Sequence, residues 1–303
     1  MAAGFRTFWE PDSQECRAEV TTERVLAWLD TAPPRPFFLW VHYFDPHDAY
    51  SPPAPYDGMF PTDPRQISYL EENGFTYWDH PQIQKINCDY DGEVRYVDSQ
   101  VGRVLERLRE LRRLDDAAVV FTADHGEGMG QHDWVSHDEL WDGMLRVPLI
   151  VKTPRMEPSA TGRRSSLVAH VDLLPTLVEE LGLPVPEEAR ARFEGRNGLR
   201  ETGRAYVFSE RTRSRPEKVG PGEKSALTGR EWKYVYWSEG PDVLYDLVAD
   251  PLETRNVLQE HPDVAEAMRL RIIARLRDGR SAEDEFEPSP EHLEELRALG
   301  YVD

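Results

Sequence analysis

The sequence predicts an α/β fold: a partly parallel sheet flanked by helices, with a small C-terminal antiparallel sheet plus helix. Two continuous apolar runs of strand length, PFFLWVHYF (36–44) and AAVVFTA (117–123), flank a stretch in which Val94, Val97, Val101, Leu105, Leu108 and Leu111 recur at helical spacing. Strand, crossover helix and strand imply parallel pairing with a right-handed connection. After about residue 200 the texture changes to short strand-like runs, AYVFSE, KSALTG, WKYVYW and VLYDL, separated by Gly, Pro and charged turns, which read as a small antiparallel sheet. The chain is therefore expected to divide into an α/β part over 1–200 and a small subdomain over 201–303.

Taken in order, TTERVLAWLD (21–30) opens with threonines suited to capping and reads as a short helix, ended by the breaker TAPPRP. The run 36–44 is bounded by Pro and Asp-Pro and has no polar alternation, so a strand buried on both faces is expected. Residues 45–88 are rich in Pro, Asp and Tyr without a clear period, and a connection that long in a compact domain is usually functional. A helix over 90–113 follows, then the strands 117–123 and VPLIVKT (147–153), then a helix in AHVDLLPTLVEELGL (169–183) with Gly182 near its end. Two polar helical stretches, 262–278 and 290–299, close the chain.

Composition excludes several classes of function. The 303 residues are 39% hydrophobic and 30% charged, ordinary for a globular protein, but the formal net charge of −20 argues against a nucleic-acid partner. The basic run Arg107–Arg113 sits on a periodic helix among acids and reads as a solvated face. No apolar run approaches the ~18 residues of a membrane span. The start MAAGFRTFWEPD lacks the basic and apolar regions of a signal peptide, although the native N-terminus is expected to lie upstream. Cys16 and Cys88 share no C-x-x-C spacing and have no neighbouring histidine, which supports neither a zinc site nor a disulfide framework.

The stretch FTADHGEGMGQHDWVSH (121–137) holds three of the chain's nine histidines, with two aspartates and a glutamate. In open α/β sheets ligands bind beyond the carboxyl ends of the strands. Asp45, His47 and Asp48 directly follow the first predicted strand, and Asp124 and His125 the second, so two polar clusters converge on one sheet edge. Adjacent strand residues point to opposite faces, so Asp124 and His125 can share a ligand only if the backbone breaks there, which Gly126, Gly128 and Gly130 permit. A carboxylate and an imidazole are a fair pair of metal ligands, though two ligands fill no common divalent shell. The plainer reading of Asp-His-Gly is a turn whose aspartate caps backbone amides.

Together these residues resemble the sulfatase family of the alkaline phosphatase superfamily. The resemblance is carried by PFFLWVHYFDPHDAYSPP, YDGEVRYVDSQVGRVLERL, AAVVFTADHGEG, HDELWDGMLRVPLIV, HVDLLPTLVEELGL, WKYVYW, LYDLVADPLETRNV and the closing LRALGYV, in family order along nearly the whole chain. It implies an alkaline-phosphatase-like fold, here truncated, and hydrolysis of a sulfate ester on a sulfated small molecule or glycan. It assigns Asp124 and His125 to metal ligands, where many sulfatases carry Asp followed by Asn. His47 matches a histidine that contacts the sulfate group and the nucleophile. His137, nine residues before Arg146, stands where many relatives have a lysine that binds a sulfate oxygen. The implied metal is Ca²⁺, with Mn²⁺ or Zn²⁺ as alternatives because a histidine replaces the oxygen ligand of Asn.

The chain departs from the family at the nucleophile. Sulfatases carry a cysteine or serine matured to formylglycine in a C/S-x-P-x-R motif, together with two acidic metal ligands on an earlier strand. Cys16 is followed by RAEV and Cys88 by DYDG, so neither qualifies. Thr31-Ala32-Pro33-Pro34-Arg35 precedes a strand instead of following one, and Ser214-Arg215-Pro216-Glu217-Lys218 is a near miss in a charged loop. The expectation is the C-terminal part of a metal-dependent sulfatase, inactive alone, with the missing N-terminal half as a partner. The alternatives are a phosphonate monoester or phosphodiester hydrolase of the same superfamily and a non-catalytic remnant or binding module. Asp133 and His137 have the Asp-x-x-x-His spacing of a second zinc site but follow the Asp-His pair, so two zinc ions are not expected.

Overall fold

A computed structural model describes residues 4–11, 16–31, 33, 35–61, 72, 81–154, 162–200, 203–211 and 222–278. The helix expected at 290–299, the closing LRALGYV and the segment 214–218 lie outside these residues, as do Ala32 and Pro34 of the TAPPR segment. The chain divides into two compact units, one from residues 1–117 and 129–135, the other from 118–128 and 136–303.

The first unit is built on two helices, α1 (Ala18–Asp30) and α2 (Pro81–Glu110). Val25 and Leu29 of α1 meet Val104 and Leu108 of α2 in a buried cluster. The threonines expected to cap α1 lie inside it instead, Thr21 and Thr22 both buried, and the N-cap Arg17 makes no side-chain capping bond. The orphan amide of Ala18 is satisfied from a distant part of the chain, donating to Asp45 Oδ2 at 2.6 Å. In the basic run, Arg107 pairs with Asp30 and Glu110, and Arg109 pairs with Glu106, so these charges are balanced on an open face.

Residues 36–44 show the period-two burial of a strand but make no ladder among the described residues. Phe37, Leu39 and Val41 pack on the α1 and α2 cluster, whereas Phe38 and Trp40 are 67% and 69% exposed. The expectation of burial on both faces is corrected: the helix pair covers one face, and no described element covers the other. The helical stripe also needs rotation. Val94 is exposed, and the buried line of α2 runs through Asp89, Glu93, Tyr96, Val97, Gln100, Val104 and Leu108.

From residue 118 the chain passes β1 (Val119–Thr122), β2 (Gly128–Met129) and β3 (Val135–Ser136), these two straddling the unit boundaries, then the single helical turn α3 (Asp142–Leu145) and β4 (Leu149–Lys152) of the second unit. β1 and β4 pair antiparallel, Val119 opposite Lys152 and Thr122 opposite Leu149. The connection between them holds no helix longer than α3, so the chain reverses without a crossover. The parallel pairing expected between 36–44 and 117–123 is not seen among the described residues, where 36–44 joins no ladder. The predicted helix in 169–183 is α4 (Leu173–Leu181), ended by Gly182 at φ 60°, a left-handed residue that suits glycine. After the short α5 (Glu187–Arg190), a four-stranded antiparallel sheet forms in the order β5 (Val207–Arg211), β6 (Lys224–Thr228), β7 (Trp232–Trp237), β8 (Val243–Asp246), as the four short runs predict. α6 (Pro262–Asp278) places Ala265, Met268 and Ile272 on Leu227, Tyr234 and Leu244 of that sheet.

The segment around HVDLLP is held by Asp172, buried to 1% exposure. Its carboxylate accepts from Ala169 N, Arg196 N and both Nε and Nη2 of Arg204, at 2.5–2.9 Å. Burial by itself would raise the Asp172 pKa, but the Arg204 guanidinium and the two amides override it and hold the carboxyl below its ordinary value. A depressed acid contributes stability above its unfolded pKa of ~3.9 and loses it as pH falls through the folded value. Urea unfolding from pH 7 downward should therefore steepen below about pH 4, and Asp172→Asn should lower the whole curve while flattening that acid limb. An acid limb of unchanged slope in Asp172→Asn would remove this group from the account.

Candidate active site

The predicted site residues fall into both units, and each group is described within its own unit. In the first unit His47 sits in the loop after Phe44, its ring stacked on Phe44 with centroids 4.4 Å apart. Its Nδ1 lies 2.6 Å from the Asp48 carbonyl, and because a carbonyl only accepts, Nδ1 carries the proton. Two carboxylates anchor this loop, the half-buried Asp45 and the buried Glu93. Asp45 holds the start of α1, and Glu93 on α2 accepts from Ser51 N at 2.6 Å and lies near the His47 amide. Burial raises the pKa of both Asp45 and Glu93, against the opposing pull of those amides. Glu93 was missed in the sequence, although a signal existed: an acid on the same helical stripe as Val97, Val104 and Leu108 would not be buried without a partner.

The second unit brings Asp124, His125 and His137 together. The backbone leaves β1 after Thr122 and bends at Asp124, the break that a shared ligand requires. Asp124 Oδ1 accepts the His125 amide at 2.9 Å, so the plainer capping role is also present. Asp124 Oδ2 stands 3.8 Å from His125 Nε2. His125 Nδ1 donates to the Gly126 carbonyl at 2.9 Å, which puts the proton on Nδ1 and the lone pair of the neutral ring on Nε2. A carboxylate oxygen and an imidazole lone pair are thus presented side by side, with Asp124 73% and His125 42% exposed. They fit part of a divalent cation's shell. Among the described residues no group of three or more His, Cys, Asp or Glu side chains is arranged to hold a metal ion by itself.

His137 is half-buried, and its ring stacks on His125 with centroids 4.2 Å apart and planes 24° from parallel. Its Nδ1 is 3.3 Å from Glu127 Oε2. His132 instead lies in a one-turn 3₁₀ segment, where it and Asp133 adopt left-handed φ of 57° and 54°. The glycines also divide their work. Gly130 takes the left-handed conformation at φ 101°, whereas Gly126 serves close approach: its N–H donates to Met144 O at 2.7 Å, and a Cβ there would lie 2.2 Å from the Gly143 carbonyl oxygen.

α3, which supplies Gly143 and Met144, is tied to the C-terminal sheet through charge. Lys233 of β7, with no exposed surface, stands 2.6 Å from Glu253 Oε1 and 3.0 Å from Asp142 Oδ1, and Glu253 Oε2 accepts the Asp142 amide at 2.7 Å. The Glu253 Oε1 contact is an ion pair whose angles miss hydrogen-bond geometry. Glu253 adopts a left-handed φ of 60°, which costs a non-glycine residue about 1 kcal/mol and is held by these two partners. Just before α3, Glu139 pairs with Arg211 and Lys224 of the same sheet at 2.8–2.9 Å. The sheet thus braces α3, and α3 closes on Gly126.

The Sulfatase family model matches residues 3–183. The chain is 27% identical over 295 residues to a choline-sulfatase of Rhizobium meliloti, covering 88% of this chain and 54% of that protein. It is 24% identical over 269 residues to an arylsulfatase of Clostridium perfringens, covering 80% and 54%. The crystal structure of a phosphonate monoester hydrolase of Agrobacterium radiobacter superposes with a TM-score of 0.71 at 22% identity, covering 94% of this chain and 67% of that one. The chain spans about half the length of the curated relatives it matches.

Proposed function

This chain belongs to the sulfatase family, and on that premise we propose that it supplies cation- and sulfate-binding groups to a metal-dependent sulfuric ester hydrolase. The observation that carries the reading is the pairing of Asp124 Oδ2 with the lone-pair edge of His125, 3.8 Å apart, beside the His137 ring. A divalent cation held there, Ca²⁺ or alternatively Mn²⁺ or Zn²⁺, would offset the charge that develops on a transferred sulfuryl group. His137 then offers a donor to a sulfate oxygen, and the family resemblance gives His47, braced by Glu93, a substrate-binding and proton-carrying role. The substrate class is a sulfated small molecule or glycan.

Two donors leave a cation's shell incomplete, so the chain alone should bind Ca²⁺ weakly, with a Kd of about 10⁻⁴ M or above. Asp124→Ala should weaken that binding by at least about 10-fold, since an oxygen that touches the cation matters no less than a group that only holds a ligand in place. Isothermal titration with Ca²⁺, Mn²⁺ and Zn²⁺ reads this directly. Equal affinity in wild type and Asp124→Ala would sink the metal assignment.

We further propose that the nucleophile, a formylglycine, comes from the length of the relatives that this chain does not span. No C/S-x-P-x-R segment occurs in the 303 residues. The open faces of both units support a partner polypeptide: Phe38 and Trp40 in the first, Ile150 at 64% exposure and its neighbours Phe121 and Leu149 in the second. Purified alone, the chain should turn over no aryl sulfate. Turnover should appear on mixing with a polypeptide that carries the matured residue. The alternative within the superfamily, phosphonate monoester or phosphodiester hydrolysis, draws on the Asp-His pair in place of Asp-Asn, and the same mixture assayed on an aryl phosphonate separates the two. A non-catalytic module would instead be monodisperse by size exclusion and bind no partner of this kind.

A further inference from the structure

We infer that Ser136 and Asp138 are positioning residues that act through His137 on His125, holding the His137 ring as a wall against which the cation-facing imidazole cannot turn. The inference rests on the reading that Asp124 and His125 hold a divalent cation. The residues on either side of His137 are bonded to each other, Ser136 Oγ donating to Asp138 Oδ2 at 2.9 Å. Ser136 stands at φ 142°, a positive value that a residue with a side chain rarely adopts. Just downstream the turn is clamped again: the Glu139 carboxylate accepts from Arg211 Nη1 at 2.9 Å and from Lys224 Nζ at 2.8 Å on each oxygen. The His137 ring, carried in the middle of this turn, lies 4.2 Å from the His125 ring with planes 24° from parallel.

A non-glycine residue at positive φ costs stability and persists only where its surroundings over-determine it. Serine stands here where glycine would fit with less strain, and what it adds is the hydroxyl that bridges to Asp138. The bridge fixes the backbone on both sides of His137, and so the direction in which its side chain leaves. On His125, the bond from Nδ1 to the Gly126 carbonyl fixes one edge of the imidazole, and the stacked ring covers a face. A ligand ring held in place before the cation arrives loses less freedom on binding.

The test uses the full chain with ¹³C-labelled histidine. In the wild type, nuclear Overhauser contacts should join ring protons of His125 and His137, the latter assigned by their loss in His137→Gln. Ser136→Gly and Ser136→Ala both remove the bridge without changing charge. In both, these contacts should fade, and Zn²⁺, followed through the His125 ring signals, should bind about 10-fold more weakly, the lower end of what loss of an outer group costs a metal site. Ser136→Gly also relieves the strained φ, so it should unfold at a higher urea concentration than Ser136→Ala. Asp138→Asn keeps an oxygen for the hydroxyl and should retain the ring contacts, whereas Asp138→Ala should lose them. Affinity and ring contacts that follow the urea midpoint instead, lost in Ser136→Ala and kept in Ser136→Gly, overturn the inference, as does a wild type in which the rings show no contact. Failure of the cation reading looks different: Zn²⁺ binding indifferent to Asp124→Ala, with the ring contacts present in the wild type and lost in Ser136→Gly.

Discussion

Lys233→Ala is expected to destabilise the second unit by about 3–5 kcal/mol, the usual cost of removing one partner from a buried ion pair. The cause is what stays behind. Glu253 is 2% exposed and would keep a carboxylate with no cation, at a backbone position already strained at φ 60°. Burial already raises the Glu253 pKa, with Lys233 as the main opposing influence, so loss of the lysine drives the carboxyl further toward its neutral form. Asp142 loses its partner as well, and α3 loses a tether to the sheet. Urea unfolding followed by tryptophan fluorescence measures the change. A difference under about 1 kcal/mol, the scale of an exposed pair, would mean that Lys233 and Glu253 are not jointly buried as described.

Gly126→Ala is the second change expected to act strongly, and it acts on function as well as fold. A Cβ at this residue would meet the Gly143 carbonyl oxygen at 2.2 Å, with Gly143 C and Met144 Cα at 3.2 Å. These are backbone atoms of a braced turn, so they cannot swing aside as a side chain would. Accommodation requires parting the Asp124–Gly126 bend from α3 and losing the 2.7 Å bond from Gly126 N to Met144 O. The expected cost is about 1–3 kcal/mol from overpacking, with cation binding at Asp124 and His125 lost together. Gly143→Ala is the control, since its nearest neighbour is an ordinary 3.8 Å away. Wild-type cation affinity in Gly126→Ala would separate the bend from the metal site.

Much of the framework was legible in the residues because it is local. The four C-terminal strands announce themselves by short β-branched and aromatic runs between turn residues, and Gly182 marks the end of α4 by the left-handed conformation that glycine accepts. The break after β1 was likewise readable, since Asp124 and His125 cannot converge on a straight strand. Less legible were the features that depend on a distant neighbour. Thr21 and Thr22 look like caps until Asp45 is seen to hold the start of α1. Gly126 reads as a flexible turn residue until the carbonyl of Gly143 is placed against it. That β1 pairs with β4, and antiparallel, could not be read from apolar runs, because apolarity reports burial and not partner or direction.

The order of its segments was enough to place this chain among sulfatases, because motif order survives in a one-dimensional string, and residue chemistry alone is what proposes Asp124, His125, His137 and His47 as site residues. Glu127 and Glu93 were decided only in three dimensions. Nothing in DHGEG says that its glutamate turns toward a histidine ten residues on, and nothing in YDGEV says that its glutamate gathers the Ser51 amide. The physical reason is common to both: a buried carboxylate is explained by the hydrogen-bond donors it faces. Those donors are brought to it by packing between segments far apart in sequence, which local propensity does not encode.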